Sequence, residues 1–328
     1  MLLDAPDGVD PLAGYPDVAE VASWEGTHPD ADQVHAWTDR IGLPGLFDVH
    51  THFLPPRVMA KVRAQFDSAG PLIGRPWPLR YRGGDSELAG VLADFGVRRF
   101  SALPYAHRPG MAEFLNDWAA EFALRTPAAL HCGTFFPEEG AARYTRERIE
   151  SGLQLFKVHV QVGAFHVTDP LLDQVWGVVA EAGTPVVLHA GSGPVPTEHT
   201  GPGPVAELLR RHPRLTLVLA HMGAPEYREF LELAETHEHV HLDTTMAFTR
   251  FFTAMGGEFP ADLVPRLAAL EPKVLLGSDF PNIPYPYVHQ LESLEALVVG
   301  APELGERWLR SVCWENGTRL FGPASNAA

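Results

Sequence analysis

The chain has 328 residues, 45% of them hydrophobic and 10% aromatic, so it can bury a sizeable core and is neither disordered nor collagen-like. No apolar run approaches the roughly 20 residues that cross a bilayer. With 25 basic against 41 acidic residues the formal charge is -16, a field that repels phosphate backbones and argues against nucleic acid as a partner.

Residues 1–44 carry nine acids against one base, Arg40, are rich in Pro, Gly and Asp, and are only weakly periodic. They read as an acidic N-terminal extension. The first residues show neither the basic nor the apolar stretch of a secretory leader. Cys132 and Cys313 lie far apart in apolar contexts. Buried, reduced thiols and a cytoplasmic protein are therefore expected.

From residue 45 a rhythm sets in. Short apolar, β-branched runs occupy 45–50, 97–103, 128–136, 153–160, 185–190, 215–221, 240–246 and 273–280. Several are nearly continuous in apolar residues, as strands buried on both faces should be. An amphipathic stretch follows each run, 303–321 adds one more helix, and 323–328 is a short tail. Eight strand–helix units predict an α/β fold of the (β/α)8 TIM-barrel type over 45–322. An open doubly wound sheet is the rival, and strand count and length favour the barrel. The spacing breaks once. About 52 residues separate the first two strand starts, so 53–84 is a lid-like insertion after strand 1.

In a barrel the functional groups gather where strands end at the C-terminal face. Strand 1 ends in Asp48-Val49-His50-Thr51-His52, with the two histidines two apart and so on one face of an extended strand. Strand 4 carries Lys157 and His159 at the same spacing, strand 5 ends at His189, strand 6 at His221 and strand 8 at Asp279. A lone histidine at a strand end is more often a hydrogen-bonded structural residue than a ligand. Five such groups at the ends of four strands make coincidence a poor explanation. Nitrogen and carboxylate donors suit zinc, manganese, iron or nickel and do not select sharply among them. Such an ion lowers the pKa of its water toward about 7, and Asp279 can take up the proton.

These residues resemble the amidohydrolase superfamily, and within it the amidohydrolase-related branch that includes the aminocarboxymuconate semialdehyde decarboxylase group. The resemblance runs through LFDVHTHF (46–53), FKVH (156–159), VVLHAG (186–191), LAHMG (219–223), LLGSDFP (275–281) and WENGTRLFG (314–322). It implies a distorted barrel with a metal centre. His50, His52 and His189 would be ligands, and Asp279 both ligand and acid/base. His221 would be either a second-metal ligand or a catalytic group. Lys157 would be either a carboxylated bridge between two ions or an ordinary lysine, with His159 able to serve on the same face.

The insertion holds Arg57, Lys61, Arg63, Arg75, Arg80 and Arg82 against one acid, Asp67, a local reversal of charge. Arg57, closest in sequence to the ligands, is a candidate grip for a substrate carboxylate. The alternative is that these bases pair with the acidic N-terminal segment or with another subunit. Trp77, the aromatic strand 7 loop with Arg250, and Asn282 with Tyr285 and Tyr287 after strand 8 suggest a pocket for a small organic molecule. No dinucleotide fingerprint, phosphate loop or serine elbow is present. The expectation is a metal-dependent hydrolase of a small, carboxylate-bearing substrate, working through metal-activated water. A non-oxidative decarboxylase on the same scaffold is the alternative, and a non-catalytic metal-binding barrel a third reading. The barrel exterior permits a homodimer without requiring one.

Overall fold

The computed structural model describes residues 26–70 and 76–322. Residues 1–25, the tail 323–328 and Arg75 of the insertion lie outside the described residues. Nine short strands are found among those described: β1 Leu46–Asp48, β2 Val97–Ser101, β3 Ala129–Leu130, β4 Cys132–Thr134, β5 Leu155–His159, β6 Val186–His189, β7 Leu217–Leu219, β8 Val240–Asp243 and β9 Val274–Leu275. Eight of the expected runs are thus recovered, the third divided in two at His131. Every pairing is parallel.

The strands follow chain order in two sheets, β1-β2-β3 and β4 through β9. Main-chain bonds join the last strand to the first: Val49 N–H donates to Leu276 O (2.8 Å), Asp279 N–H to His50 O (2.8 Å) and His52 N–H to Phe280 O (2.7 Å). The fold is a distorted (β/α)8 barrel. Phe47, Val49, Leu130, Cys132, Leu155, Val187, Val218 and Leu275 fill its interior, while a larger apolar layer packs helices on the outside. Both cysteines are free and buried.

The alternation of strand side chains then aims the chemistry. Leu155 belongs to the inner layer, so Lys157 and His159, two and four residues on, point along the same face toward the mouth. Val187 does the same for His189. On β8, Leu242 packs outward, which turns its neighbour Asp243 inward.

The final helical segment is one helix interrupted by a π turn, Ser311–Glu315, between Glu306–Arg310 and Asn316–Phe321. The widened turn leaves Val312 O to accept Leu276 N–H at 3.0 Å. Trp314 and Phe321 pack beneath Phe47 and close the barrel floor.

Part of the acidic extension folds onto the barrel. Helix Ala31–Ile41 buries Ala31, Val34, Trp37 and Ile41 along one stripe and stops at left-handed Gly42 (φ 70°). Trp37 Nε1 donates to Glu295 of helix Tyr287–Gly300 at 3.0 Å. The sequence reading of weak periodicity missed this helix because its buried stripe is only these few residues wide, diluted by Asp, Gln and His on the outer face. No described helix is long and apolar enough to cross a membrane.

Candidate metal centre

The site grows from the end of β1. His50 and His52 follow it and are almost fully buried. His50 Nδ1 lies 2.9 Å from Asp243 Oδ2, and His52 Nδ1 lies 3.1 Å from Leu103 O. An acceptor beside Nδ1 favours the tautomer protonated there, the one in which Nε2 can ligate an ion. Both Nε2 atoms turn to Asp279 Oδ1, at 3.6 Å for His50 and 2.9 Å for His52. The three donors lie within 4.8 Å of one another. Two neutral nitrogens and one carboxylate oxygen form a donor set suited to a divalent transition ion, so the residues fit the group that the sequence implied. Burial drives the His50 pKa well below its ordinary value, with Lys157 adding to the effect. Burial would raise the Asp279 pKa, but the close contact with His52 and the surrounding imidazoles hold it below the usual carboxylate range.

Around this cluster stand the other expected groups. Lys157 is fully buried, its Nζ 3.2 Å from His50 Nε2, and burial lowers its pKa to about 8. His189 stacks on His159, with centroids 3.9 Å apart and planes 11° apart, and its Nε2 lies 3.2 Å from Gly193 O. His189 therefore adjoins the cluster without its donor joining the three that converge. The His221 ring lies 5.1 Å from that of His50 and 4.8 Å from that of His189, and its Nδ1 is 3.2 Å from Thr245 O. His221 (φ 53°) and Asp279 (φ 70°) both sit in the left-handed region, which non-glycine residues enter at a cost that surrounding structure must offset. Asp243 Oδ1 supplies part of that support by accepting His221 N–H at 3.0 Å.

A cavity of about 270 Å³ opens over these groups. Trp77, Phe66, Tyr105, Met246 and Phe252 give it largely apolar walls, and His159, Gln161 and Asn282 add polar points. Trp77 Nε1 donates to Asn282 O at 2.8 Å, pinning the insertion to the strand 8 loop. From the insertion, Trp77 and Phe66 of helix Pro56–Ser68 line the cavity.

Arg57 and Arg250 are both exposed and lie outside the cavity lining. The carboxylate grip assigned to Arg57 is corrected accordingly. Met59 is the buried residue of its helix, and Arg57, two residues earlier, is turned about 200° away. The other described insertion arginines have structural partners. Arg80 grips Asp30 through two bonds of 2.8 Å, Arg82 pairs with Asp67, and Arg63 donates to Gly83 O at 2.5 Å. At Arg80 the pairing with the acidic N-terminal segment is thus realised.

Three contributors escaped the sequence reading. Asp243 is one, its role depending on where β8 lies rather than on any motif. Asp48 was seen only as part of the motif. Tyr105, whose ring meets His52 and His159, was not considered. A carboxylate two residues before the first ligand was a usable signal for Asp48; Tyr105 had none.

The amidohydrolase family model matches residues 47–322. Among curated proteins none matches by sequence. Similar solved structures include a 5-carboxyvanillate decarboxylase from Sphingomonas paucimobilis, at 17% identity and TM-score 0.53, over 85% of this chain and 99% of that one. A manganese-bound 5-carboxyvanillate decarboxylase from Novosphingobium aromaticivorans is similar at 14% identity and TM-score 0.55, over 86% and 99%. A protein assigned as a 2-pyrone-4,6-dicarboxylic acid hydrolase from Pseudomonas putida is similar at 17% identity and TM-score 0.58, over 85% and 98%. At these identities the likeness is one of fold.

Proposed function

The chain belongs to the amidohydrolase family, and we propose that it is a metal-dependent hydrolase of a small organic substrate seated above His50, His52 and Asp279. The observation that carries this reading is the convergence of those three donors beneath a largely apolar cavity. They would hold the cation, zinc in the first instance, and His189 would add a further donor by turning from Gly193 O. A divalent cation held there supplies Lewis acidity and makes hydroxide accessible near neutral pH.

The chain's own residues supply the rest. Asp279 is the base in position to take a proton from attacking water and pass it to the leaving group. His221, with Nδ1 against Thr245 O, presents Nε2 to polarise the bond under attack. An ammonium at Lys157 would oppose a cation beside His50, so Lys157 acts as a neutral amine or as a carbamate. Burial already lowers its pKa to about 8, which eases the loss of the proton that either form requires. A substrate carboxylate would be met by this centre rather than by Arg57 or Arg250.

The aromatic lining, Phe66, Trp77, Tyr105 and Phe252, favours a second reading, a non-oxidative decarboxylase of an aromatic acid, the chemistry named for the two similar decarboxylase structures. The deciding experiment offers aryl carboxylic acids and cyclic esters to zinc-loaded protein in ¹⁸O-labelled water. Label in the product supports hydrolysis, and released carbon dioxide supports the lyase. Full metal content retained by His50→Ala would remove the basis of both.

A further inference from the structure

Asp48 is fully buried and accepts three hydrogen bonds. They come from His50 N–H at 3.1 Å, Ser278 Oγ at 2.5 Å and Tyr287 Oη at 2.8 Å. It therefore staples the β1 ligand pair to the residue preceding Asp279. Tyr287 begins helix Tyr287–Gly300, so its own N–H has no partner within the helix. That N–H donates to Tyr81 Oη at 2.7 Å, and Tyr81 Oη in turn donates to Asp30 Oδ2 at 2.7 Å. A phenol has a single proton. By accepting it, Asp30 leaves the Tyr81 oxygen to serve as the acceptor that Tyr287 needs. Arg80 holds Asp30 in place from the other side with two bonds of 2.8 Å. Every member is buried, Asp30 being the most exposed at 6%. Asp30 lies outside the matched region 47–322.

We propose that Asp30 and Tyr81 are positioning residues for the metal centre, acting through Tyr287 and Asp48 on the spacing between His50 and Asp279. The inference rests on the metal reading above. It assigns the N-terminal segment a part in tuning the site rather than only in covering the barrel.

The test titrates chelator-treated, full-length protein with Co²⁺, following visible absorption, alongside thermal melting of each variant. Tyr287→Phe should weaken Co²⁺ binding about tenfold and shift the absorption bands. Tyr81→Phe should move both in the same direction by a smaller factor. The double variant should bind no more weakly than Tyr287→Phe alone, because the two substitutions cut one path. Asp30→Asn, which keeps the shape but cannot accept all three bonds, repeats the test should Tyr81→Phe fail to fold. The proposal is overturned if Tyr81→Phe or Asp30→Asn lowers only the melting temperature while affinity and spectrum stay unchanged, or if the two tyrosine effects multiply. A wild-type chain that binds no Co²⁺ overturns the metal reading itself, and the positioning role with it.

Discussion

At the scale of single residues, the ligands and their supports differ in how openly the sequence shows them. His50 and His52 declare themselves by a two-residue spacing at a strand end, and Asp279 by its place after the last apolar run. Asp243 does not, because its value depends on β8 lying where its carboxylate reaches both His50 Nδ1 and His221 N–H. Removing a partner that fixes a ligand's tautomer commonly costs 10–100-fold in metal affinity. Asp243→Asn is therefore expected to weaken Zn²⁺ binding by about that range with little change in secondary structure, which competition against a chromophoric chelator and far-UV circular dichroism would check. Gly277 tests the same support sterically. A Cβ there would stand 2.1 Å from Thr245 Oγ1 and 2.9 Å from His50 Cβ. Gly277→Ala should displace His50 and lower bound metal in elemental analysis; an unchanged stoichiometry and affinity would show that the neighbours can yield. The left-handed backbone at His221 and Asp279 left no clear mark in the sequence: Asp and His enter that region more readily than most residues, but the great majority of them do not adopt it.

At the scale of elements, the barrel units were legible because continuous apolar runs and amphipathic stretches alternate with near-constant spacing. The division of the third run at His131 was hidden within an unbroken apolar pattern. The insertion was legible in length but not in wiring, because charge alone does not show that Arg80 meets Asp30 while Arg57 faces water. Helix Ala31–Ile41 was the element missed, and its energetics give it a measurable weight. Trp37 is 2% exposed, and truncating a buried tryptophan to alanine costs about 3–5 kcal/mol. Trp37→Ala should lower stability in urea by that order, and deletion of residues 1–44 by more. Equal stability of the truncated chain would show that the packing of helix Ala31–Ile41 adds nothing to the fold. Trp77 makes a parallel case on the insertion, wedged between Phe66 and Phe251 and bonded to Asn282 O. Trp77→Phe keeps most of the packing and loses the bond, costing about 1 kcal/mol. Its larger effect is expected on substrate KM, since the cavity wall is no longer pinned.

For the whole molecule, the charge of -16 argued against polyanionic partners but not for any site, because the chemistry sits in a buried cluster to which surface carboxylates contribute little. What the global titration does bear on is acid stability, through imidazoles the barrel keeps uncharged. Burial, then the charge of Lys273, lowers the His241 pKa to about 4, and burial, then Arg250, lowers that of His289 to about 4. In the unfolded chain both return to about 6.5. A folded-state pKa below the unfolded one means that the unfolded chain binds more protons as the pH falls. The stabilisation is therefore complete above about pH 6.5 and is lost progressively toward pH 4. The share of the urea-unfolding stability that these two imidazoles supply should be level from pH 8 to 7 and decline below 6.5. His241→Gln, which removes one of the two groups, should show a shallower decline. Comparing it with wild type at each pH cancels the contributions the two proteins share, so parallel curves would mean that His241 is not held neutral by the fold.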